Sequence, residues 1–253
     1  MHKFGLIGHP IGHSLSPALF KAGYHGKYQY DLIETPDFEE AYKKFLEEYD
    51  GINVTAPFKE LAIRKADILS EECRLTGATN LLVKTPEGIK AYNSDFLGVR
   101  LWLSGVARGV ESVLIVGLGG AGKAAAAAAG SLGMETVLMN RTQYCPGIKP
   151  LSRFREEFRK ADIVIYNLPV RIGELDLLTE EDFCPGKPKH ILEANYRDPS
   201  FDGALINRMK AANPDATYTE GLAWLLAQAV TGYEIFTGET PDEEAMRAVI
   251  KSK

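Results

Sequence analysis

Lys59 and Asp95 are a lysine and a carboxylate that could act together in proton transfer. Lys59 follows a short predicted strand with polar side chains at alternate positions, and Asp95 lies where a strand is expected to give way to a helix. A lysine ammonium held by a carboxylate can donate a proton to a carbonyl oxygen that becomes a hydroxyl. The pair is therefore a candidate for carbonyl reduction. Taken alone, the more ordinary interpretations are a solvated helix lysine for Lys59 and a helix N-cap for Asp95.

A second candidate site is the glycine-rich loop between a predicted buried strand and an alanine-rich helix. Gly117, Gly119 and Gly122 match the G-x-G-x-x-G pattern of dinucleotide-binding folds. The first glycine permits a tight turn, the second lets the backbone approach a pyrophosphate, and the third allows close packing of helix on strand. The helix N-terminus then offers N–H groups to the phosphates. The strand–turn–helix context favours a dinucleotide site over a glycine-rich turn that binds nothing.

The residues after the next predicted strand bear on the choice of cofactor. A carboxylate there favours NAD, whereas an arginine favours NADP because it can pair with the 2′-phosphate. The sequence has Asn140, Arg141 and Thr142 at this place and no carboxylate. No second basic residue follows promptly, since residues 143–146 are Gln, Tyr, Cys and Pro. NADP is therefore favoured, and NAD stays possible.

The elements that must position these residues fall into two regions. In the first hundred residues short strands alternate with helices, and a predicted hairpin from Leu81 to Tyr92 suits a mixed sheet. From Val113 onward, apolar strands alternate with helices, as in a doubly wound parallel sheet. These later strands are predicted at Val113–Val116, Thr136–Met139, Ile163–Tyr166, His190–Glu193 and Ala216–Tyr218. The predicted fold class is α/β, with an N-terminal mixed-sheet substrate domain and a Rossmann-type doubly wound dinucleotide-binding domain.

Several helix boundaries are also predicted. Ser16 before Pro17 is typical of an N-cap, and Asp37 with Glu40 resembles a capping box. Two helices close the chain, at Leu222–Phe236 and Pro241–Ile250, and Thr240 with Glu243 is predicted to cap the second.

Composition narrows the class of protein. The 253 residues suit one large or two modest domains, and a net charge of −5 argues against general affinity for nucleic acid or anionic membranes. No apolar run is long enough to span a bilayer, and the N-terminus lacks the features of a signal peptide. Three widely spaced cysteines indicate reduced thiols in a cytoplasmic protein. His9 and His13 lie in a Pro/Gly loop, so no metal is expected.

Ordered blocks over nearly the whole chain resemble the shikimate dehydrogenase family. They are Gly8–Pro17, Asn53–Lys59, Gly77–Asn80, Asn93–Asp95 with Gly98, the glycine loop, Asn140–Thr142 and Gly221–Ala229. The resemblance implies reversible hydride transfer between NADP(H) and 3-dehydroshikimate, giving shikimate for aromatic amino-acid biosynthesis.

The resemblance also implies a role for individual residues. Lys59 and Asp95 would be the catalytic proton-transfer pair. The substrate would be bound by Ser14, Ser16, Asn53, Thr55, Asn80, Tyr196 and Gln228. The cofactor would be bound by Gly117, Gly119, Gly120, Ala121, Gly122, Asn140, Arg141, Thr142, Asn167 and Gly221. The substrate domain would comprise residues 1–100 and 225–253, the NADP domain residues 101–224, and the protein would be a monomer or homodimer.

The sequence departs from the family's usual pattern at a few positions. Ser94 and Leu81 each stand where a threonine is usual, and Glu193 stands where an aspartate is usual. Two other functions stay open: a quinate/shikimate dehydrogenase of broader substrate and cofactor choice, and a non-catalytic ligand-binding protein on the same fold. The Lys59–Asp95 pair argues against the second. A folate-type dehydrogenase is disfavoured because no Tyr-x-x-x-Lys segment occurs in the N-terminal domain.

Overall fold

The computed structural model describes residues 2–251. The chain divides into two compact units, Met1–Gly98 with Leu225–Lys253, and Val99–Trp224. Each unit carries its own β-sheet.

The first unit has a six-stranded mixed sheet in the order β2-β1-β3-β5-β6-β4. Its strands are β1 (Lys3–Gly8), β2 (Gln29–Glu34), β3 (Gly51–Val54), β4 (Ile68–Leu69), β5 (Leu81–Thr85) and β6 (Gly88–Tyr92). The connecting helices are α1 (Ser16–Gly23), α2 (Phe38–Glu48), α3 (Lys59–Ala62) and α4 (Glu71–Thr76). β1 pairs in parallel with β2 and β3, whereas β5 is antiparallel to both β3 and β6. The predicted hairpin is thus confirmed as β5–β6.

Two apolar clusters form the core of the first unit. One contains Phe45, Ile52 and other side chains that α2, α3 and α4 share with the sheet. The other joins Phe4 and Phe20 to side chains from the end of the chain, including Tyr233 and Phe236. The last helices therefore complete a core that begins with β1 and α1.

The second unit has a five-stranded, wholly parallel sheet in the order β11-β10-β9-β7-β8. Its strands are β7 (Ser112–Val116), β8 (Glu135–Met139), β9 (Ile163–Tyr166), β10 (His190–Glu193) and β11 (Thr217–Thr219). The remaining helices of the chain are α5 (Ser94–Val106), α6 (Gly120–Ser131), α7 (Phe154–Lys160), α8 (Gly203–Ala212), α9 (Gly221–Thr237) and α10 (Glu243–Lys251). Residues of β7 and β9 are almost wholly buried, which explains their continuous apolar runs. The predicted α/β class, with a mixed sheet and a parallel Rossmann-type sheet, is confirmed.

Helix starts were predicted with mixed success. Asp37 does cap α2, because its carboxylate accepts from the backbone N–H groups of Glu39 and Glu40. The N-cap of α1 is Leu15 instead of Ser16, which lies inside the first turn with Pro17.

The start of α10 was also predicted wrongly. Asp242 accepts from the backbone N–H of Ala245, two residues after the predicted cap Thr240. The Thr240 hydroxyl instead donates to Glu234 at 3.2 Å. Ser16 and Thr240 are not caps, because Ser14 accepts from the first backbone N–H of α1 and Asp242 accepts from an N–H at the start of α10.

Among residues 2–251, no helix is both long and apolar enough to cross a membrane.

Candidate active site

Lys59 and Asp95 form an ion pair in the first unit. Lys59 is the first residue of α3, just after β3, and Asp95 is the second residue of α5. The distance from Lys59 Nζ to Asp95 Oδ2 is 2.5 Å, and the side chains are 22% and 17% exposed. The ammonium is therefore held by a carboxylate in a half-buried place that a small molecule can reach.

The cap of α5 explains why the Asp95 carboxylate serves this pair. Asn93 Oδ1 accepts from the backbone N–H of Phe96 at 3.2 Å, which is the bond that an N-cap makes. The interpretation of Asp95 as an N-cap is thus wrong, because Asn93 already satisfies this helix end. Likewise, the interpretation of Lys59 as a solvated helix lysine is wrong.

Three carboxamides are joined by hydrogen bonds to one another or to Ser94, the residue before Asp95. Asn53 lies on β3, Asn80 just before β5, and Gln228 on α9. Asn80 and Gln228 both hydrogen-bond the side chain of Ser94, the residue before Asp95. Asn53 Nδ2 donates to the backbone carbonyl of Asn80 at 3.3 Å. The structure thus links three predicted substrate residues into one network.

A tyrosine on β2 completes this network. The Tyr30 hydroxyl donates to Asn53 Oδ1 at 2.7 Å. Burial raises the pKa of Tyr30 well above its usual range, so the hydroxyl stays protonated and keeps its role as donor. Asn53 is therefore oriented with its oxygen toward the protein.

Ser14 and Ser16 lie together at the start of α1. Their hydroxyls are 3.1 Å apart, and the Ser14 hydroxyl also accepts from the backbone N–H of Ser16. The Tyr233 hydroxyl on α9 donates to the Ser16 carbonyl at 3.1 Å, which ties this loop to the end of the chain. Two hydroxyls beside a helix N-terminus can bind a carboxylate. Thr55, directly after β3, anchors its backbone N–H to the Ile7 carbonyl.

A close contact between α5 and α9 brings Gln228 to its place. A Cβ atom at Gly98 would lie 2.9 Å from the Gln228 backbone nitrogen. Only glycine lets the two backbones approach this closely. Gly98, which the sequence showed as part of a motif, thus acts through packing.

In the second unit, the glycine loop has the geometry that its motif predicts. Gly117 has a φ of +89°, and a Cβ at Gly122 would lie 1.9 Å from the Gly117 carbonyl oxygen. Gly119 is the N-cap of α6 and makes no side-chain cap, while a Cβ there would meet nothing within 4 Å. The first and third glycines are thus required by the fold. Packing does not require Gly119, and the lack of a side chain there leaves open space at the N-terminus of α6.

Asn140 connects this loop to the segment after β8. Its Oδ1 accepts from the backbone N–H of Leu118 at 3.3 Å, and its Nδ2 donates to the Thr142 carbonyl at 2.9 Å. Arg141 and Thr142 are exposed. The asparagine therefore acts as a brace, and the arginine beside it is available to a ligand.

Asn167 follows β9 beside the glycine loop. Its backbone N–H donates to the Val116 carbonyl at 2.7 Å, and its Nδ2 donates to the Ile165 carbonyl. Its Oδ1 is buried and accepts no hydrogen bond within residues 2–251. A buried acceptor without a donor among the described residues, near the glycine loop, can accept a hydrogen bond from a bound dinucleotide. Gly119, Gly120, Ala121, Asn140, Arg141, Thr142 and Asn167 could hold it.

Tyr196 and Gly221 belong to the second unit and are not part of the hydrogen-bond network around Ser94. Together with Glu220 they line a cavity of about 120 Å³. A Cβ at Gly221 would lie 2.5 Å from the Ala194 carbonyl oxygen, so packing requires this glycine whether or not it meets a ligand.

Glu193, which replaces a usual aspartate, has a structural role. It is fully buried and accepts from the backbone N–H groups of Ser200 and Phe201 and from the Tyr218 hydroxyl. Burial and this carboxylate raise the pKa of Tyr218 far above its usual range. Within the described part of the chain, no cluster of three or more His, Cys, Asp or Glu side chains could hold a metal ion.

The sequence did not single out Tyr30, Ser94 or Tyr233 as contributors to a site. Ser94 was noted only as a replacement for threonine, and the two tyrosines occur in runs that predict core packing. Their hydroxyl partners are distant in sequence, by 23 residues for Tyr30 and 217 for Tyr233. No local pattern indicates such contacts.

Comparison with known proteins agrees with this geometry. Residues 6–82 match the family model of the shikimate dehydrogenase substrate binding domain. The shikimate dehydrogenase (NADP(+)) of Archaeoglobus fulgidus is 30% identical, and the match covers 98% of this chain and 97% of the relative.

Two solved structures share the fold over the whole chain. Shikimate 5-dehydrogenase of Thermus thermophilus in complex with NADP(H) and shikimate has a TM-score of 0.78 and 26% identity, covering 100% of this chain and 99% of the other. Quinate dehydrogenase of Corynebacterium glutamicum in complex with NAD has a TM-score of 0.83 at 21% identity, with coverage of 100% and 99%, a likeness of fold alone. The full-length match to the Archaeoglobus enzyme goes further than fold, and the chain belongs to the shikimate dehydrogenase family.

Proposed function

We propose that this protein is an NADP-dependent shikimate dehydrogenase, which reversibly reduces 3-dehydroshikimate to shikimate in the biosynthesis of aromatic amino acids. The observation that carries the proposal is the ion pair of Lys59 and Asp95, 2.5 Å apart beside three oriented carboxamides. Such a place can bind a small polyhydroxylated ring and hold a proton donor at its carbonyl oxygen.

Each side chain has a defined task in this reaction. The Lys59 ammonium donates a proton to the ketone oxygen during reduction and takes it back from the hydroxyl during oxidation. The Asp95 carboxylate orients the ammonium and accepts from a ring hydroxyl. Asn53, Asn80 and Gln228 would bind ring hydroxyls, Ser14 and Ser16 the substrate carboxylate, and Thr55 would line the pocket.

The nicotinamide cofactor supplies or accepts the hydride when bound. The glycine loop would hold its pyrophosphate, and Arg141 its 2′-phosphate, with Asn140, Thr142, Asn167 and Gly221 bordering it. In this proposal residues 1–100 with 225–253 bind the substrate, and residues 101–224 bind the cofactor.

A kinetic assay of Lys59→Ala tests the catalytic pair. The wild-type protein should reduce NADP in the presence of shikimate, with absorbance at the nicotinamide band as readout. Lys59→Ala should lower kcat by about 10²–10⁴-fold, because the positioned acid–base group is lost. Asp95→Asn should also lower kcat, since it keeps the shape of the side chain and removes the charge.

Lys65→Ala is the matched control. Lys65 is a lysine of the same unit that pairs with Glu39 at 2.8 Å on the surface. Its removal should leave kcat within about twofold, as expected of an exposed ion pair. Absence of turnover by the wild type with shikimate or quinate and either nicotinamide, despite measurable binding, would contradict the enzymatic function.

The same assay addresses the broader alternative. Arg141 without a second basic neighbour leaves use of NAD open. Quinate, like shikimate, is a carboxylic acid on a hydroxylated six-membered ring, so the same site could bind either. Comparing kcat/KM for shikimate and quinate with each cofactor separates a shikimate dehydrogenase from a quinate/shikimate dehydrogenase.

We also propose that the protein acts in the cytoplasm on small molecules, as a monomer or homodimer. Support for the cytoplasm comes from Cys73, Cys145 and Cys184, which are unpaired. Light scattering of the purified protein measures the oligomeric state.

A further inference from the structure

Ser94 connects two of the three carboxamides of the site, yet it has no exposed surface. It is the first residue of α5, between Asn93, which caps the helix, and Asp95, which pairs with Lys59. A side chain enclosed in this way does not touch a ligand. Its influence on the reaction must pass through its neighbours.

The hydroxyl of Ser94 fixes which way the Gln228 amide points. Ser94 Oγ donates to Gln228 Oε1 at 3.1 Å, so the oxygen of this amide faces the protein. Gln228 Nε2 donates one N–H to the Leu225 carbonyl at 2.9 Å. An amide nitrogen carries two N–H groups, and the second is the one that Gln228 can offer to a ligand.

Asn80 is oriented by the same residue. Its Oδ1 accepts from the backbone N–H of Ser94 at 2.8 Å, and its Nδ2 donates to Ser94 Oγ at 3.0 Å. The serine hydroxyl therefore accepts from Asn80 Nδ2 and donates to Gln228 Oε1, which at 3.1 Å is nearer than its other acceptor, Asn80 Oδ1 at 3.3 Å. Asn80, only 4% exposed, likewise has its oxygen engaged and one N–H to offer.

The space around Ser94 leaves little freedom for other arrangements. A Cβ at Gly232 on α9 would lie 3.2 Å from Ser94 Oγ, so the hydroxyl packs tightly between the two helices. The Asn53 amide is turned the same way without the help of Ser94, because the Tyr30 hydroxyl donates to its Oδ1 and holds this oxygen toward the protein.

We propose that Ser94 is a positioning residue that holds Asn80 and Gln228 so that both meet the substrate's ring hydroxyls as N–H donors. The proposal rests on the function given above and adds which group donates and which accepts each hydrogen bond between the site and the ring hydroxyls. The ring hydroxyls accept hydrogen bonds from the carboxamides, and they donate to the carboxylate of Asp95. Each carboxamide oxygen already accepts a hydrogen bond from the protein, so the amide N–H is the group turned toward a ring hydroxyl.

Replacing Ser94 by alanine tests the proposal. Ser94→Ala removes the partner of Asn80 Nδ2 and of Gln228 Oε1, so the Gln228 amide can rotate. Asn80 loses one of its two bonds to residue 94, while the backbone N–H still donates to its Oδ1. We expect KM for shikimate to rise about tenfold while kcat changes less than about threefold, because uniform binding is lost. The dissociation constant of shikimate, measured by calorimetry, should rise in parallel.

Two further variants separate positioning from a loss of stability. Ser94→Thr keeps the hydroxyl and should restore KM to within about twofold of the wild type. Ser94→Cys replaces the hydroxyl by a slightly larger thiol that is only a weak donor and should resemble Ser94→Ala, which also covers a failure of the alanine variant to fold.

A double-mutant cycle gives a readout that a merely structural role would not move. In a Gln228→Ala background, the effect of Ser94→Ala on KM should fall at least threefold below its effect in the wild type, because one of the two amides through which it acts is absent. Equal effects in both backgrounds would overturn the proposal.

Ser70→Ala is the matched control. Ser70 precedes α4 in the same unit, and its hydroxyl makes no hydrogen bond to a residue of the site. Its KM and dissociation constant should equal those of the wild type.

The results distinguish this inference from the function on which it rests. Binding of shikimate by the wild type without turnover would contradict the enzymatic function, while the dissociation constants would still decide the role of Ser94. Unchanged KM and binding in Ser94→Ala would overturn the positioning role alone. Neither binding nor turnover by the wild type would overturn both.

Discussion

A lysine without exposed surface closes the C-terminal end of α7. Lys189 Nζ donates to the backbone carbonyls of Phe158 and Ala161, and it lies 4.5 Å from the centre of the Phe158 ring. Burial lowers its pKa from 10.5 to about 8, against smaller opposing effects of Cys184 and nearby carboxylates. The end of α7 is thus capped by the Lys189 ammonium, whose charged form is destabilised by burial.

This arrangement predicts a pH dependence of stability. The unfolded chain keeps the Lys189 proton up to about pH 10.5, whereas the folded chain releases it near pH 8. Between these values the unfolded chain binds more protons, so the free energy of unfolding rises with pH. From pH 7 to pH 10, wild type should gain about 2 kcal/mol relative to Lys189→Met in urea unfolding.

The exposed neighbour Lys187 provides the control, since Lys187→Met should follow the wild-type pH curve. If the curves of wild type and Lys189→Met run parallel from pH 7 to pH 10, Lys189 is not destabilised by burial.

At the scale of elements, the turn from β7 into α6 depends on Gly117 and Gly122, whereas packing does not require Gly130 near the end of α6. Gly122 faces the Gly117 carbonyl oxygen, where a Cβ would lie at 1.9 Å. Gly130, near the end of the same helix, has nothing within 4 Å of a Cβ. One helix therefore holds a glycine required by packing and one that only costs backbone entropy.

Alanine at these two positions should act in opposite directions. Gly122→Ala should lower the free energy of unfolding by about 1–3 kcal/mol and weaken NADP binding, because the strand and helix must separate. Gly130→Ala should raise stability by about 0.5–1 kcal/mol and leave NADP binding unchanged. Thermal unfolding and cofactor titration measure both effects. Equal destabilisation by the two variants would contradict this account.

The strands β7, β9 and β10 of the second unit were predictable because both of their faces are buried, which leaves an apolar run bounded by turns. The strand β4 was not predicted, since its two half-buried residues, Ile68 and Leu69, have no periodicity to detect. In the site, motifs pointed to Lys59 and Asp95, but the polarity of the amides was not predictable. It depends on partners separated from Ser94 by 14 and 134 residues, which only the folded chain brings together.

At the scale of the whole molecule, the end of the chain stabilises its beginning. Phe236 on α9 stacks on Phe4 of β1 with ring centres 5.0 Å apart. Its ring also covers Gly51 on β3, where a Cβ would lie 2.6 Å from it. The first unit is therefore incomplete without residues that follow the entire second unit.

Truncating this ring should destabilise the first unit. Phe236→Ala should lower the free energy of unfolding by about 3–5 kcal/mol, as a buried aromatic ring is lost. Leu75→Ala, at a leucine that is 53% exposed, should change it by less than about 0.5 kcal/mol. Urea unfolding followed by circular dichroism measures both. A similar small change in the two variants would show that the last helices contribute little to this core.

The return of α9 and α10 to the first core has a consequence for synthesis on the ribosome. Phe4, Phe20 and Tyr24 emerge first, but Tyr233, Phe236 and Met246, which pack against them, emerge last. The strands of the parallel sheet lie between them, and β11 ends 14 residues before Tyr233. During translation the nascent chain should therefore carry an unfinished aromatic surface while the whole second unit is made, and this surface is covered only when the last helices emerge.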